Sequence, residues 1–275
     1  MKKLLIISLS LSLIVQIRSY ILPQTFREWT IIGINKDINK NKPYHYKIGE
    51  LPMVLWFNKT KPHTIINTCH KHLGNTLKDS YVKNDKLICP FHNSSYTSSD
   101  GLGDIQIRNG LVWWSFKSFK KEPPRLRTDN QENYLLKVNS DLISILLNFI
   151  NDYGGDKDNY KFVNKKLLIK KDRDFLIYKY PYTMIFNNRY MINIIPEDIN
   201  KSYLYLTTLK GTYIDDKELR KFKGYLEKRF NNFRFKYYLL KNDNSIIYKI
   251  YDLYKNYMFI NDFTINHFLI NKNFY

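Results

Sequence analysis

The chain has 275 residues, 44% of them hydrophobic and 25% charged, which is a globular composition long enough for one large domain or two modest ones. Its formal net charge is +19, from 44 Lys plus Arg against 25 Asp plus Glu. Two cysteines exclude a disulfide-dense secreted scaffold, an iron–sulfur cluster held by thiolates alone and a four-cysteine zinc site.

The positive charge does not by itself specify a nucleic-acid partner. Lysines are spread along the chain, and the richest stretch, residues 157–173, is flanked or interleaved by Asp156, Asp158, Asp172 and Asp174. No specific nucleic-acid binding is expected. A basic surface equally suits an acidic electron-transfer partner or anionic lipid.

Residues 1–19 read as a signal peptide or membrane anchor. Met1-Lys2-Lys3 is a short basic region, and the apolar run at residues 4–17 is short for a full membrane span. The expected location is therefore the secretory route or a membrane. Sequons at Asn58, Asn93 and Asn200 occur at the frequency that chance gives in an Asn-rich chain and carry no weight.

From Trp29 onward the pattern is one of short strands and tight turns. Residues 29–32 and 53–57 are apolar runs of strand length, residues 64–66 lead into the first cysteine, and residues 86–88 lead into the second. Residues 105–108 alternate, Asn109-Gly110 predicts a hairpin turn, and residues 111–116 form its return strand. Pro123-Pro124 marks the exit from this all-β unit, since paired prolines cannot continue a ladder.

Residues 141–151 (DLISILLNFIN) predict a helix with Asp141 as N-cap and Leu142, Ile145, Leu146 and Phe149 on one stripe, and Gly154-Gly155 ends the region. Strands are expected at 166–169, 175–178, 184–186, 190–195 and 203–207. A second helix is expected over 215–230, opened by Asp215, Asp216 and Glu218 in keeping with the dipole. The tail to Tyr275 is Tyr- and Asn-rich with weak periodicity.

The chemistry concentrates in one place. Four of the six histidines stand beside both cysteines, and two of them give Cys69-x2-His72 and, after sixteen intervening residues, Cys89-x2-His92. Each pair falls in a loop between short strands, so two turns can bring two thiolates and two imidazoles around one centre. Soft thiolates with imidazoles suit zinc or iron, not magnesium or calcium. A structural zinc ion held by Cys69, His72, Cys89 and His92 meets the same donor count, and would make the protein a non-enzymatic structural or binding module.

The arrangement resembles a Rieske domain, in which one iron of a [2Fe–2S] cluster is held by two cysteines and the other by two histidines. Cys89-Pro90-Phe91-His92 is similar to the family's second cluster loop, and His72-Leu73-Gly74 with Leu77 to the residues after its first ligand histidine. One residue more separates Cys69 from His72 than the family's first pair has, and Lys71 stands where the family histidine falls. Asp100-Gly101-Leu102-Gly103 with residues 105–114, Leu22-Pro23 with Trp29, and residues 49–56 resemble strands of the Rieske oxygenases. The resemblance covers about residues 22–120 and looks closest to the pheophorbide a oxygenase-like proteins and related algal and large-virus proteins.

The resemblance implies a mainly β Rieske domain over 22–121, followed by an α+β, helix-grip oxygenase-like domain over 130–275. It implies a cluster held by Cys69, His72, Cys89 and His92, with His70, Lys71 and Ser94 available to tune it. It also implies an electron donor such as a reductase or ferredoxin, a homotrimer, and, in algal relatives, plastid-type targeting.

The family's mononuclear iron needs a triad of two histidines and a carboxylate. The equivalent register here sets Asn148 at the carboxylate, Asn151 at the first histidine and Asp156 at the second. No histidine lies between His92 and the solitary His267, which reads as a surface or core-edge residue. The reading is an iron–sulfur electron-transfer protein without a conventional mononuclear iron centre and without assigned catalytic residues. Tyr180-Pro181-Tyr182-Thr183 and residues 191–207 resemble the strands of the oxygenase's substrate cavity.

Overall fold

The computed structural model describes residues 28–48, 51–69, 76–116, 122–126, 132–152, 160–163, 166–171, 174–179, 183–198, 201–209 and 215–230. The N-terminal apolar segment, His70, Lys71, His72, Gly154-Gly155, Asp156, residues 180–182 and the tail with His267 lie outside the described residues.

The first part consists of three antiparallel three-stranded sheets. β1 (Thr30–Ile34), β8 (Asp104–Arg108) and β9 (Leu111–Ser115) form one, in the order β1-β9-β8. β2 (Tyr44–Ile48), β3 (Leu51–Asn58) and β4 (Lys61–Ile66) form a meander, as do β5 (Tyr81–Lys83), β6 (Lys86–Ile88) and β7 (Ser95–Tyr96).

Strand β3 is buried on both faces, which is why its sequence reads as a continuous apolar run. Its period of two divides the unit into two cores. Met53, Leu55 and Phe57 join the large core with Trp113 and Trp114. Val54 and Trp56 turn the other way, into a smaller cluster with Ile65, Leu77, Leu87, Tyr96 and both cysteines. The metal candidates thus have an apolar shell of their own.

The expected hairpin at Asn109-Gly110 is present, with φ of 54° and 69° respectively, as a two-residue primed turn requires. Asn84 and Asp85 make the same kind of turn between β5 and β6 with φ of 50° and 62° and no glycine. Asn93, Asn187 and Asn188 also take positive φ. Part of the asparagine excess therefore serves left-handed turn positions, for which Asn is among the few tolerant residues.

The exit at Pro123-Pro124 folds back on the hairpin. Arg108 Nη1 donates to Glu122 Oε2 at 3.0 Å and to the Pro123 carbonyl at 2.9 Å.

The second part is a seven-stranded antiparallel sheet in the order β10-β16-β15-β14-β13-β12-β11. Its strands are β10 (Asn133–Val138), β11 (Tyr160–Val163), β12 (Lys166–Lys171), β13 (Asp174–Lys179), β14 (Thr183–Phe186), β15 (Tyr190–Asp198) and β16 (Lys201–Thr208). Helix α1 (Leu142–Asp152) packs on β15, and helix α2 (Asp216–Phe230) packs near β10.

Asp141 caps α1 as expected: its carboxylate accepts from the Ser144 amide at 2.8 Å. The stripe Leu142, Ile145, Leu146 and Phe149 is buried, but so are Ser144, Leu147 and Ile150. Phe149 lies 5.5 Å from Phe186 of the sheet and 5.2 Å from Phe230 of α2, so the helix is enclosed from two sides. Asp215 likewise caps α2 through the Glu218 amide at 2.6 Å.

The five strands expected in this half are all present. β2, β5, β7, β10 and β11 had no clear signal: each is short or half-exposed, and tertiary pairing decides them. The two halves share one core, which includes Tyr46 of β2 and Tyr205 of β16. The observed architecture is thus the expected one, a mainly β unit followed by an α+β unit.

Candidate metal centre

Two loops carry the centre, and each is closed by its own backbone accounting. After β4, the Asn67 amide donates to the Pro52 carbonyl at 2.8 Å. The Asn67 side-chain oxygen accepts from the Leu77 amide at 2.9 Å, tying the start of the Cys69 loop to its end. After β6, the Cys89 amide donates to the Ser94 carbonyl at 2.9 Å, and Asn93 takes a φ of 53° to close the turn. Tyr81 of the adjoining strand donates its hydroxyl to Asn93 Oδ1 at 3.3 Å.

The structure brings Cys69 and Cys89 together. Both are fully buried in one cluster, and neither is in a disulfide. His92 and Phe91 stand exposed at the tip of the second loop. His72 lies outside the described residues, so three of the four candidates are placed.

Burial pushes the Cys89 thiol up, and the Cys69 thiol beside it pushes the same way. Backbone N–H groups of Phe91 and His92 act oppositely, donating to the Cys89 sulfur and favouring its anionic form. A neutral thiol has little use for two backbone donors; a metal-bound thiolate does.

Sequence reasoning missed Tyr96. Its hydroxyl, on a two-residue strand with no pattern of its own, donates to Cys69 Sγ at 3.0 Å in the buried cluster. Only the β6–β7 pairing, which sets Tyr96 opposite Leu87, turns it inward. Ser94, expected beside the cluster, is buried next to Cys89 in the chain trace, and its hydroxyl has no hydrogen-bond partner among the described residues. The same holds for the indole N–H of Trp56, a member of the cysteine cluster. Buried donors left unpaired around two thiols fit an anionic sulfur-bearing group.

The other candidate iron site is placed only in part. Asn148 lies half-buried on α1 and donates to the Ser144 carbonyl at 2.9 Å; Asn151 is on the same helix. Among the described residues, no group of three or more His, Cys, Asp or Glu side chains is gathered to hold a metal ion.

Fold and site together define a class. Residues 28–109 match the Rieske [2Fe-2S] domain family. Over 67 residues the chain is 30% identical to the oxygenase component of 3-ketosteroid-9-alpha-monooxygenase from Rhodococcus rhodochrous, a match covering 24% of this chain and 17% of that protein.

Among solved structures, NdmA of Pseudomonas putida CBB5 superposes with a TM-score of 0.60 at 12% identity, over 90% of this chain and 93% of that one. The oxygenase in the ferredoxin complex of carbazole 1,9a-dioxygenase gives a TM-score of 0.53 at 14% identity, over 90% and 88%. The chain carries a Rieske-type domain and has the fold of the Rieske oxygenase components. These comparisons support the Rieske-type oxygenases at large, not the pheophorbide a oxygenase branch in particular.

Proposed function

We propose that this protein transfers single electrons through a [2Fe–2S] cluster, with Cys69 and Cys89 on the inner iron and His72 and His92 on the outer. The observation that carries this is the buried cysteine pair gathered in one cluster at the bases of two clamped loops, with Tyr96 donating to one sulfur. The cluster would supply the one-electron chemistry, and histidine ligation sets a potential above that of all-cysteine clusters. The chain's own part is to exclude water around the thiolates with Val54, Trp56, Leu77 and Leu87, and to leave His92 at the surface for a partner.

The partner in this reading is a reductase or ferredoxin, in keeping with the ferredoxin complex of carbazole 1,9a-dioxygenase. The domain limits are 22–121 and 130–275, and residues 1–19 direct the chain to a membrane or the secretory route. Asn148, Asn151 and Asp156 leave the second half without a conventional mononuclear iron.

Metal and acid-labile sulfide analysis of the full chain, purified anaerobically, tests this, together with the EPR spectrum after dithionite reduction. Equal iron and sulfide, two of each per chain, with a rhombic signal is the expected result. One zinc without sulfide overturns it in favour of a structural zinc module, and an additional mononuclear iron overturns the absence of an oxygenase centre.

A further inference from the structure

Cys89 sits in a ladder whose register reaches past the strand ends. β5 pairs with β6 as Tyr81↔Ile88 and Val82↔Leu87, so the next position sets Ser80 opposite Cys89. β6 pairs with β7 as Leu87↔Tyr96 and Ile88↔Ser95, so the next position sets Ser94 opposite Cys89 on the other side, where the Cys89 amide indeed meets the Ser94 carbonyl. Directly opposite residues share a face, and faces alternate along each strand.

Burial follows that alternation except at Ile88, which shares the outward face with Tyr81 and Ser95 and is buried. Ser80, Cys89 and Ser94 are buried in one row, and Leu87 and Tyr96 continue the same face. Tyr81, Ser95, Lys83 and Lys86 point outward and are exposed. Continued by one residue, the register therefore sets a buried serine on each side of Cys89.

Ser80 is 8% exposed and its hydroxyl has no hydrogen-bond partner among the described residues. A buried unpaired hydroxyl costs about 1–3 kcal/mol, and native interiors keep few of them. Opposite residues in an antiparallel pair have Cβ atoms about 4.5–5.5 Å apart, which lets a serine hydroxyl reach the sulfur across the ladder by a χ1 rotation. A neutral thiol is a weak acceptor, whereas an anionic sulfur is a strong one.

We propose that Ser80 is a second-strand donor to the sulfur at Cys89, acting from the side opposite Ser94 and setting the potential of the centre. The proposal rests on the cluster reading above. A hydroxyl aimed at sulfur favours the state with more negative charge, which is the reduced one, so Ser80 raises the midpoint potential.

The test is a redox titration followed by EPR on the full chain, its Ser80→Ala, Ser80→Gly and Ser80→Thr variants, and Ser95→Ala from the exposed face. Ser80→Ala should move the oxidised-to-reduced ratio at fixed poise about tenfold toward the oxidised form, a lowering of about 59 mV for one electron. Ser80→Thr keeps the hydroxyl and should stay close to the parent, and Ser95→Ala should not move.

Ser80→Gly removes the same hydroxyl without a methyl and gives the answer where the alanine variant does not take up iron. An unchanged potential in iron-loaded Ser80→Ala or Ser80→Gly protein overturns the role of Ser80 alone. So does a shift of equal size in Ser80→Thr. A parent protein without iron and sulfide overturns the cluster reading and this proposal with it.

Discussion

The hydroxyl of Tyr96 donates to the sulfur of Cys69 across 3.0 Å inside a fully buried cluster, although 26 residues separate them and neither predicts the other. Tyr96 arrives on β7 and Cys69 at the end of the β3–β4 hairpin; the shared apolar shell of Trp56, Leu77 and Leu87 joins them. A donor at this position favours negative charge on the sulfur.

Replacing Tyr96 by Phe removes that donor and keeps the ring. A hydrogen bond to a charged group contributes roughly 1.5–3 kcal/mol, of which only the part that differs between oxidation states appears in the potential. The midpoint potential of Tyr96→Phe should fall by tens of millivolts with iron and sulfide content unchanged, as read by spectroelectrochemical titration. A loaded variant at the parental potential would show that the hydroxyl only fills space.

Two glycines should respond in opposite directions to alanine. Gly103 has a φ of +78°, and a Cβ there would stand 2.5 Å from the Ser115 carbonyl oxygen and 2.8 Å from Trp114 Nε1. Neither neighbour can withdraw. Ser115 is paired with Asp104 in the β8–β9 ladder, and the Trp114 indole donates to the Leu102 carbonyl at 2.8 Å. Gly103→Ala should destabilise the chain by about 2–4 kcal/mol. Gly224 lies within α2 with nothing within 4 Å of its would-be Cβ, so Gly224→Ala should stabilise by about 0.5–1 kcal/mol. Urea unfolding of both variants gives the comparison.

Stability should decline on mild acidification. Burial lowers the pKa of His63 below its ordinary 6.5, and the Lys61 charge adds to the effect. His45 shifts the same way, again chiefly by burial, against the raising influence of Asp79 and the Lys78 backbone. Below pH 6.5 the unfolded chain binds these protons before the folded chain does, so folding stability rises with pH in that window and is lost as pH falls through it. Well above 6.5 both states are neutral at these sites and the contribution is flat. Thermal unfolding between pH 7 and 5 should show a falling Tm, with a shallower slope in His63→Gln; equal slopes would remove His63 from the account.

Much of the architecture is legible in the chain itself. The apolar run at 53–57, the Asn109-Gly110 turn, the Asp141 cap, the acidic opening of the second helix and the strands from 166 to 207 all carry local signals, and each is found. The strands left unread were those whose identity depends on a neighbour: Tyr81–Lys83 and Ser95–Tyr96 become strands only because Lys86–Ile88 lies between them. The excess of asparagine is compositional in the sequence, yet at Asn93, Asn109, Asn187 and Asn188 it meets left-handed backbone.

By itself the sequence supplied the expected donor set. Two cysteines and two histidines at matched spacings suit zinc or iron, and the sequence has no histidine from 93 to 266. Tertiary structure alone decided what surrounds the donors. Whether Val54 and Met53 face the same core, whether Tyr96 turns toward a sulfur, and whether Ser80 stands beside Cys89 are questions of register, and a shift of one residue reverses every face of a strand. Register is fixed by burial against partners distant in the chain, and no local stretch of sequence contains that information.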